Sequence, residues 1–412
     1  MKWHKQTSTA PVAAIVAALL LAGCAADPHD EAAGEQDDVP HGYIEGAEET
    51  AEPQSRLVMA DGATGSVHIL DLITEETAEI GRVEGVSGLS GDGRFAYVAA
   101  ADRETVQVFD SGAWTVDHGD HSHYYRAEMR EVGAVDGARP GGAAADTAVT
   151  ALPFGGTLRL LDRERLAEGG IGDTEVIEAP GAGPAAAAVP YGGHVLVPGT
   201  GDGDDVVAVH DRTGEQVGTV EEPCPDPAGR GVTRRGAVFG CADGALVVAE
   251  EDGAFTGEKI AYPGDVAEDE RARVFSQRPG SATLAAPAGD DGVWVLDVTA
   301  GSLTRVDTGP VVAANAVGEG APLLALTPEG VLHAYDTGSG EQTARSELLD
   351  GPLDGPGTGT GTGTTIQIDT ARAYVNDAAA DTVYEIDYND DLRVAREFPL
   401  DFSPTHMVET GR

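Results

Sequence analysis

The chain is expected to be all-β, a β-propeller assembled from a repeated four-stranded unit, and three observations carry that expectation. A short apolar strand ending in an acidic residue recurs as Val67-His-Ile-Leu-Asp71, Val106-Gln-Val-Phe-Asp110, Leu158-Arg-Leu-Leu-Asp162, Val207-Ala-Val-His-Asp211, Leu246-Val-Val-Ala-Glu250, Val293-Trp-Val-Leu-Asp297, Leu332-His-Ala-Tyr-Asp336 and Val383-Tyr-Glu-Ile-Asp387. Consecutive copies lie 39 to 52 residues apart. That is the span of a propeller blade with its loops, and periods of this size mark closed repeat arrays. Helical periodicity is confined to short pieces, whereas β-branched runs bounded by Gly, Pro and Asp fill the chain. Eight copies predict eight blades, with seven if one copy is a decorated loop.

Residues 1–23 read as an export signal. Lys2 and Lys5 form a charged start, the apolar run from Pro11 to Leu21 is too short to span a bilayer, and Leu21-Ala-Gly-Cys24 follows. That tetrad resembles a bacterial lipobox, which implies cleavage before Cys24, lipid on its thiol and amino end, and a protein anchored on the outer face of a membrane. Residues 24–53 are rich in Asp, Glu, Ala and Gly and hold almost no large apolar side chains. Such a segment cannot bury enough surface to offset chain entropy, so it is expected to be a mobile acidic tether. His29 and His41 lie in it and can capture a cation transiently. Residues 54–412 form the propeller domain.

Chemistry concentrates directly after the second copy of the repeat. His118, His121 and His123 are three of the chain's eleven histidines, packed into six residues beside Asp117 and Asp120. Neutral imidazole is the commonest metal ligand, and zinc wants four donors at a tetrahedron's corners, so the stretch is a candidate zinc site. In an extended segment His121 and His123 share a face, and His118 has the other parity, so a turn at Gly119 must swing it round. Asp120, or His406 near the far end of the chain, is expected to supply a fourth donor. Trp114, Tyr124 and Tyr125 bracket the cluster and are expected to pack the loop in place. His68, His210 and His333 fall inside repeated strands and are expected to be structural.

Cys224 and Cys241 are the only thiols besides Cys24. Bonded to each other they would close a loop worth on the order of 3 kcal/mol; as a zinc half-site they lack the usual tight spacing. The net charge of −44 repels nucleic acid and concentrates cations near the surface. No G-x-S-x-G, H-E-x-x-H or Walker A sequence is present. The alternatives to a zinc-binding protein are a metal-free propeller scaffold for protein partners and a propeller hydrolase using metal-bound water.

The stretch Trp114-Thr-Val-Asp-His-Gly-Asp-His-Ser-His-Tyr-Tyr-Arg126 resembles the signature of the AztD family. Pro40-His-Gly-Tyr-Ile-Glu-Gly-Ala-Glu-Glu49, Phe239-Gly-Cys-Ala-Asp-Gly244, Arg372-Ala-Tyr-Val-Asn-Asp377, Glu385-Ile-Asp-Tyr388 and Pro404-Thr-His-Met-Val-Glu-Thr-Gly-Arg412 extend the likeness. The resemblance implies an extracytoplasmic zinc-binding β-propeller that delivers zinc to the solute-binding protein of a zinc ABC importer; the chain itself is expected to be a monomer and not an enzyme. The chain departs from that pattern where further histidines are implied: Pro184-Ala-Ala-Ala187, Pro225-Asp-Pro-Ala-Gly229, Arg139-Pro-Gly-Gly142 and Ala313-Ala-Asn-Ala316 offer no imidazole. One zinc site, at the His118 cluster, is therefore expected where the family implies two.

Overall fold

The eight copies of the repeat become eight equivalent strands. A computed structural model describes residue 44 and residues 46–100, 104–118, 121–138, 140–179, 187–199, 205–353 and 363–412, all within the compact unit His41–Arg412. Cys24, His29, His41 and Asp120 lie outside the described residues. Sheet 1 is ordered His406–Thr410, Arg56–Ala60, Ser66–Asp71, Thr77–Arg82, and sheet 2 Gly88–Gly91, Phe95–Ala100, Thr105–Asp110, Arg130–Asp136. Six further sheets follow, with third strands Thr157–Asp162, Val207–His210, Gly244–Glu251, Gly292–Asp297, Val331–Tyr335 and Thr382–Asp387. In the sixth sheet the innermost strand is reduced to the bridge between Ser276 and Ala285. Each copy of the repeat thus lies on, or ends just beyond, the third strand of its own antiparallel sheet. The fold is a β-propeller.

Packing explains why these strands read as near-continuous apolar runs. Arg56–Ala60, Phe95–Ala100, Val149–Phe154 and Ala373–Asp377 are buried along their whole lengths, because a neighbouring sheet covers each face. Outer strands such as Thr77–Arg82 and Gln342–Glu347 instead alternate between more and less exposed positions, as one-sided strands do. The apolar clusters form between consecutive sheets: Val58, Val67 and Ile69 meet Leu89, Val98 and Phe109 across sheets 1 and 2. At the other seam Leu57, Met59 and Leu70 of sheet 1 meet Tyr374, Val383 and Phe398 of the last sheet. Each such side chain, fully buried, contributes about 1.5–3 kcal/mol. The seam is also closed by backbone hydrogen bonding, since His406–Thr410 pairs antiparallel with Arg56–Ala60, His406 opposite Ala60 and Thr410 opposite Arg56.

The acidic residue that ends each copy is mostly a turn cap. Asp71 accepts from the backbone amides of Ile73 and Thr74 at 3.0 and 3.1 Å, and Asp336 accepts from those of Gly338 and Ser339 at 3.1 and 2.7 Å. Asp162 does the same for a helix, Arg163–Glu168, accepting from the amides of Glu164 and Arg165. These contacts stop the third strand and turn the chain toward the fourth. Cys224 and Cys241 are bonded to each other, tying the approach to the fifth sheet to its second strand, Gly236–Cys241. Among the described residues no helix is long and apolar enough to cross a membrane.

The stretch expected to be tether contributes structure at its end. Glu48–Thr50 forms a strand, so ordered chain begins ahead of residue 54. Its partner is the segment that carries the histidines.

Candidate metal centre

In sheet 2 the connection between the third and fourth strands is a second hairpin, Ala113–Asp117 with Ser122–Arg126. Its register sets Trp114 opposite Tyr125, Thr115 opposite Tyr124, Val116 opposite His123 and Asp117 opposite Ser122. The backbone amide of His118 donates to the carbonyl of His121 at 2.9 Å and closes the tip. Strand alternation then puts His123 and Tyr125 on one face with the ring of His121, and the turn brings His118 back beside them. Ring centroids are 5.0 Å apart for His118 and His121, 5.3 Å for His118 and His123, and 5.0 Å for His121 and His123. One ligand atom from each of the three lies within 4.8 Å of the others. Around a tetrahedral zinc with Zn–N bonds of about 2.0–2.1 Å the nitrogens would sit roughly 3.3 Å apart. Small rotations of the side chains cover that difference.

Side-chain contacts hold the base of the hairpin, and here one acidic repeat residue has a second task besides capping the Gly112 amide at 3.0 Å. Asp110 is 1% exposed and receives two hydrogen bonds from Arg94, at 3.0 Å from Nε and 2.7 Å from Nη2. The same guanidinium lies 3.9 Å from the ring centroid of Trp114, which in turn stacks on Tyr125 at 5.4 Å. Trp114 and Tyr125 are both buried, so the expected packing role of these two aromatics is what the structure has. Arg56 donates through Nη1 to the carbonyl of Ser111, and the Thr115 hydroxyl donates to that of Gly411 at 3.1 Å. Gly112 has φ +66°, and a Cβ there would stand 2.4 Å from the Ala127 carbonyl oxygen, so only glycine makes this entry into the hairpin.

Two contacts flank the tip. Glu48–Thr50 pairs along Ser122–Arg126, Glu48 opposite Arg126, Glu49 opposite Tyr125 and Thr50 opposite Tyr124. Through it Glu49 Oε1 comes 2.7 Å from Nδ1 of His123, while Glu48 pairs with Arg126 at 2.7 Å. On the other side Arg234, from the turn between the first two strands of the fifth sheet, reaches Asp117 at 3.1 Å. Burial, and after it the charge of Glu49, pushes the Tyr125 hydroxyl above its usual pKa.

His406 is not part of this centre. It opens the closing strand opposite Ala60, whereas the hairpin touches that strand's far end at Gly411. Five residues of strand at about 3.3 Å each separate the two ends. His406 is 7% exposed, its Nδ1 lies 2.9 Å from the Thr405 hydroxyl, and burial lowers its pKa, which describes a neutral core histidine. His68 stacks on Phe402 with centroids 3.7 Å apart; His210 and His333 hold Gly214 and Gln342 through Nδ1. His210 and His333 are partnered as expected, whereas His68 is buried with no hydrogen-bond partner for Nε2. Sequence reasoning missed Glu49, Arg94 and Arg234; the only signal for Glu49 was its place at the end of the stretch Pro40–Glu49.

No known protein-family profile matches the chain, and no curated protein sequence does. Solved structures do. The crystal structure of AztD from Citrobacter koseri superposes with a TM-score of 0.73 at 20% identity, covering 87% of this chain and 98% of that one, and the apo form from the same organism gives 0.72 at 19% over the same shares. The fold is AztD-like. The likeness to dihydro-heme d1 dehydrogenase NirN in complex with DHE is lower, with a TM-score of 0.54 at 16% identity over 88% of this chain and 76% of that one. At these identities the shared property is the fold. The AztD-like propeller accounts for the sheets and the seam, and the chemistry has to be argued from the hairpin's own side chains.

Proposed function

We propose that this protein captures zinc at His118, His121 and His123 and hands it to the solute-binding protein of a zinc ABC importer. The observation that carries the reading is the convergence of three imidazoles within 4.8 Å on a hairpin tip whose base is locked by Arg94, Asp110 and Trp114. Imidazole nitrogen suits zinc, and three protein donors leave a fourth position for Asp120 or for water. Zinc is the cargo, and the protein only makes and breaks coordination bonds. A fourth ligand that water supplies keeps the ion exchangeable, which is what delivery requires. His118 and His121 are exposed, so a recipient's donors can approach the ion directly. The fold shared with AztD of Citrobacter koseri agrees with this reading. In this proposal the chain acts as a monomer outside the cytoplasm, held to the outer face of the membrane by lipid on Cys24, with His29 and His41 capturing ions transiently.

The test is zinc stoichiometry by competition with a chelating dye, for the wild type and for His121→Ala combined with His123→Ala. One tight zinc per wild-type chain, lost in the double variant, is expected. A wild-type ratio near zero refutes the reading in favour of a metal-free scaffold.

A further inference from the structure

The contact between Glu49 and His123 has a consequence for the reading above, on which this inference rests. We propose that Glu49 is the positioning residue of the centre: it takes the proton on Nδ1 of His123 in a hydrogen bond and so commits Nε2 of that ring to the metal. The distance, 2.7 Å, is in the range of charge-assisted hydrogen bonds. An imidazole has two nitrogens, and which one ligates is set by what the other one bonds. A carboxylate on the far nitrogen fixes the tautomer, orients the ring and raises its basicity toward the metal.

The local structure gives Glu49 this role and not merely that of holding a strand. Neighbouring side chains on a strand point to opposite faces. Glu48 therefore faces Arg126 and makes the pair that anchors the strand's edge, at 2.7 Å, while Glu49 faces the side that carries Tyr125 and His123. Thr50 adds a hydroxyl contact to the Tyr124 carbonyl at 3.3 Å. Backbone pairing, Glu48 and Thr50 suffice to dock the strand. Glu49 is left as the residue whose carboxylate reaches a metal-ligand candidate, and it is held there by a strand remote in sequence from the hairpin. Of the three imidazoles, His123 is the least exposed, so its ring is also the one whose orientation the fold governs most tightly.

Zinc affinity of the full chain, measured by dye competition, separates the possibilities. Glu49→Ala is expected to lose about 10- to 100-fold in affinity, the usual effect of removing such a partner. Glu49→Gln keeps an acceptor oxygen for the Nδ1 proton and is expected to recover most of that loss. Glu48→Gln, whose amide oxygen can still accept from Arg126 and keep the strand docked, is expected to leave affinity unchanged. Two-bond proton–nitrogen spectra of the zinc-loaded wild type should show the His123 ring protonated at Nδ1. Affinity of Glu49→Ala equal to wild type overturns the proposal. So does Glu49→Gln as weak as Glu49→Ala, which would make the carboxylate itself a zinc ligand, and so does a loss in Glu48→Gln as large as that in Glu49→Ala, which would reduce Glu49 to a strand anchor. A wild type that binds no zinc instead refutes the function proposed above.

Discussion

Glu409 sits on the strand that closes the propeller, and its burial makes closure depend on pH. Its side chain is 0% exposed, its Oε1 has no hydrogen-bond partner, and Arg412 Nη1 meets the other oxygen at 3.0 Å. Burial, and then the charge of Asp369, pushes its pKa up from 4.5 to about 7, against the opposing pull of Arg412 and a hydrogen bond from Ser55. Because the folded-state value lies above the unfolded one, the stability attached to neutral Glu409 is fully present below about 4.5 and is lost as pH rises through about 7. At about 1.4 kcal/mol per unit, the loss is about 3 kcal/mol. Glu409→Gln stays neutral throughout. The stability of the variant minus that of wild type, from urea denaturation at a series of pH values, should therefore climb between about pH 4.5 and 7 and then level off. Taking the difference between the two proteins removes the contributions of all other carboxylates. A difference that stays flat from pH 5 to 8 would show that Glu409 ionises as freely in the fold as in the open chain, and the argument from burial would fail.

Two further outcomes follow from the anchor of the hairpin and from the chain's start. Asp110→Ala strands the Arg94 guanidinium without its buried partner, which should lower stability by about 3–5 kcal/mol and weaken zinc binding through a loosened tip; unchanged denaturation and unchanged affinity together would locate the hairpin's rigidity elsewhere. Mass spectrometry of the protein taken from its native membranes should find Cys24 as a lipid-modified amino terminus, and an unmodified terminus at another residue would remove the anchor from the proposal.

Local interactions were legible in the sequence. The copies from Val67-His-Ile-Leu-Asp71 to Val383-Tyr-Glu-Ile-Asp387 are strands because short apolar and β-branched runs stand between turn residues, and their acidic ends are caps because an Asp oxygen reaches amides two and three residues on. Spacing alone brought His118, His121 and His123 together, since a hairpin tip needs no distant chain to gather residues this close in sequence. Tertiary structure decided everything that depends on chain returning from afar. It placed His406 at the opposite end of the closing strand from the hairpin, although its residue type suited a ligand. It drew Glu48–Thr50 out of a stretch whose composition predicts a tether, because the hairpin's edge offered unpaired backbone groups for three residues to satisfy. It also gave Asp110, which still caps the Gly112 amide at 3.0 Å, a second task as the buried partner of Arg94. A contact such as Glu49 with His123, 74 residues apart, leaves no periodicity to read and exists only once the sheets between have packed and offset the entropy of closing that loop.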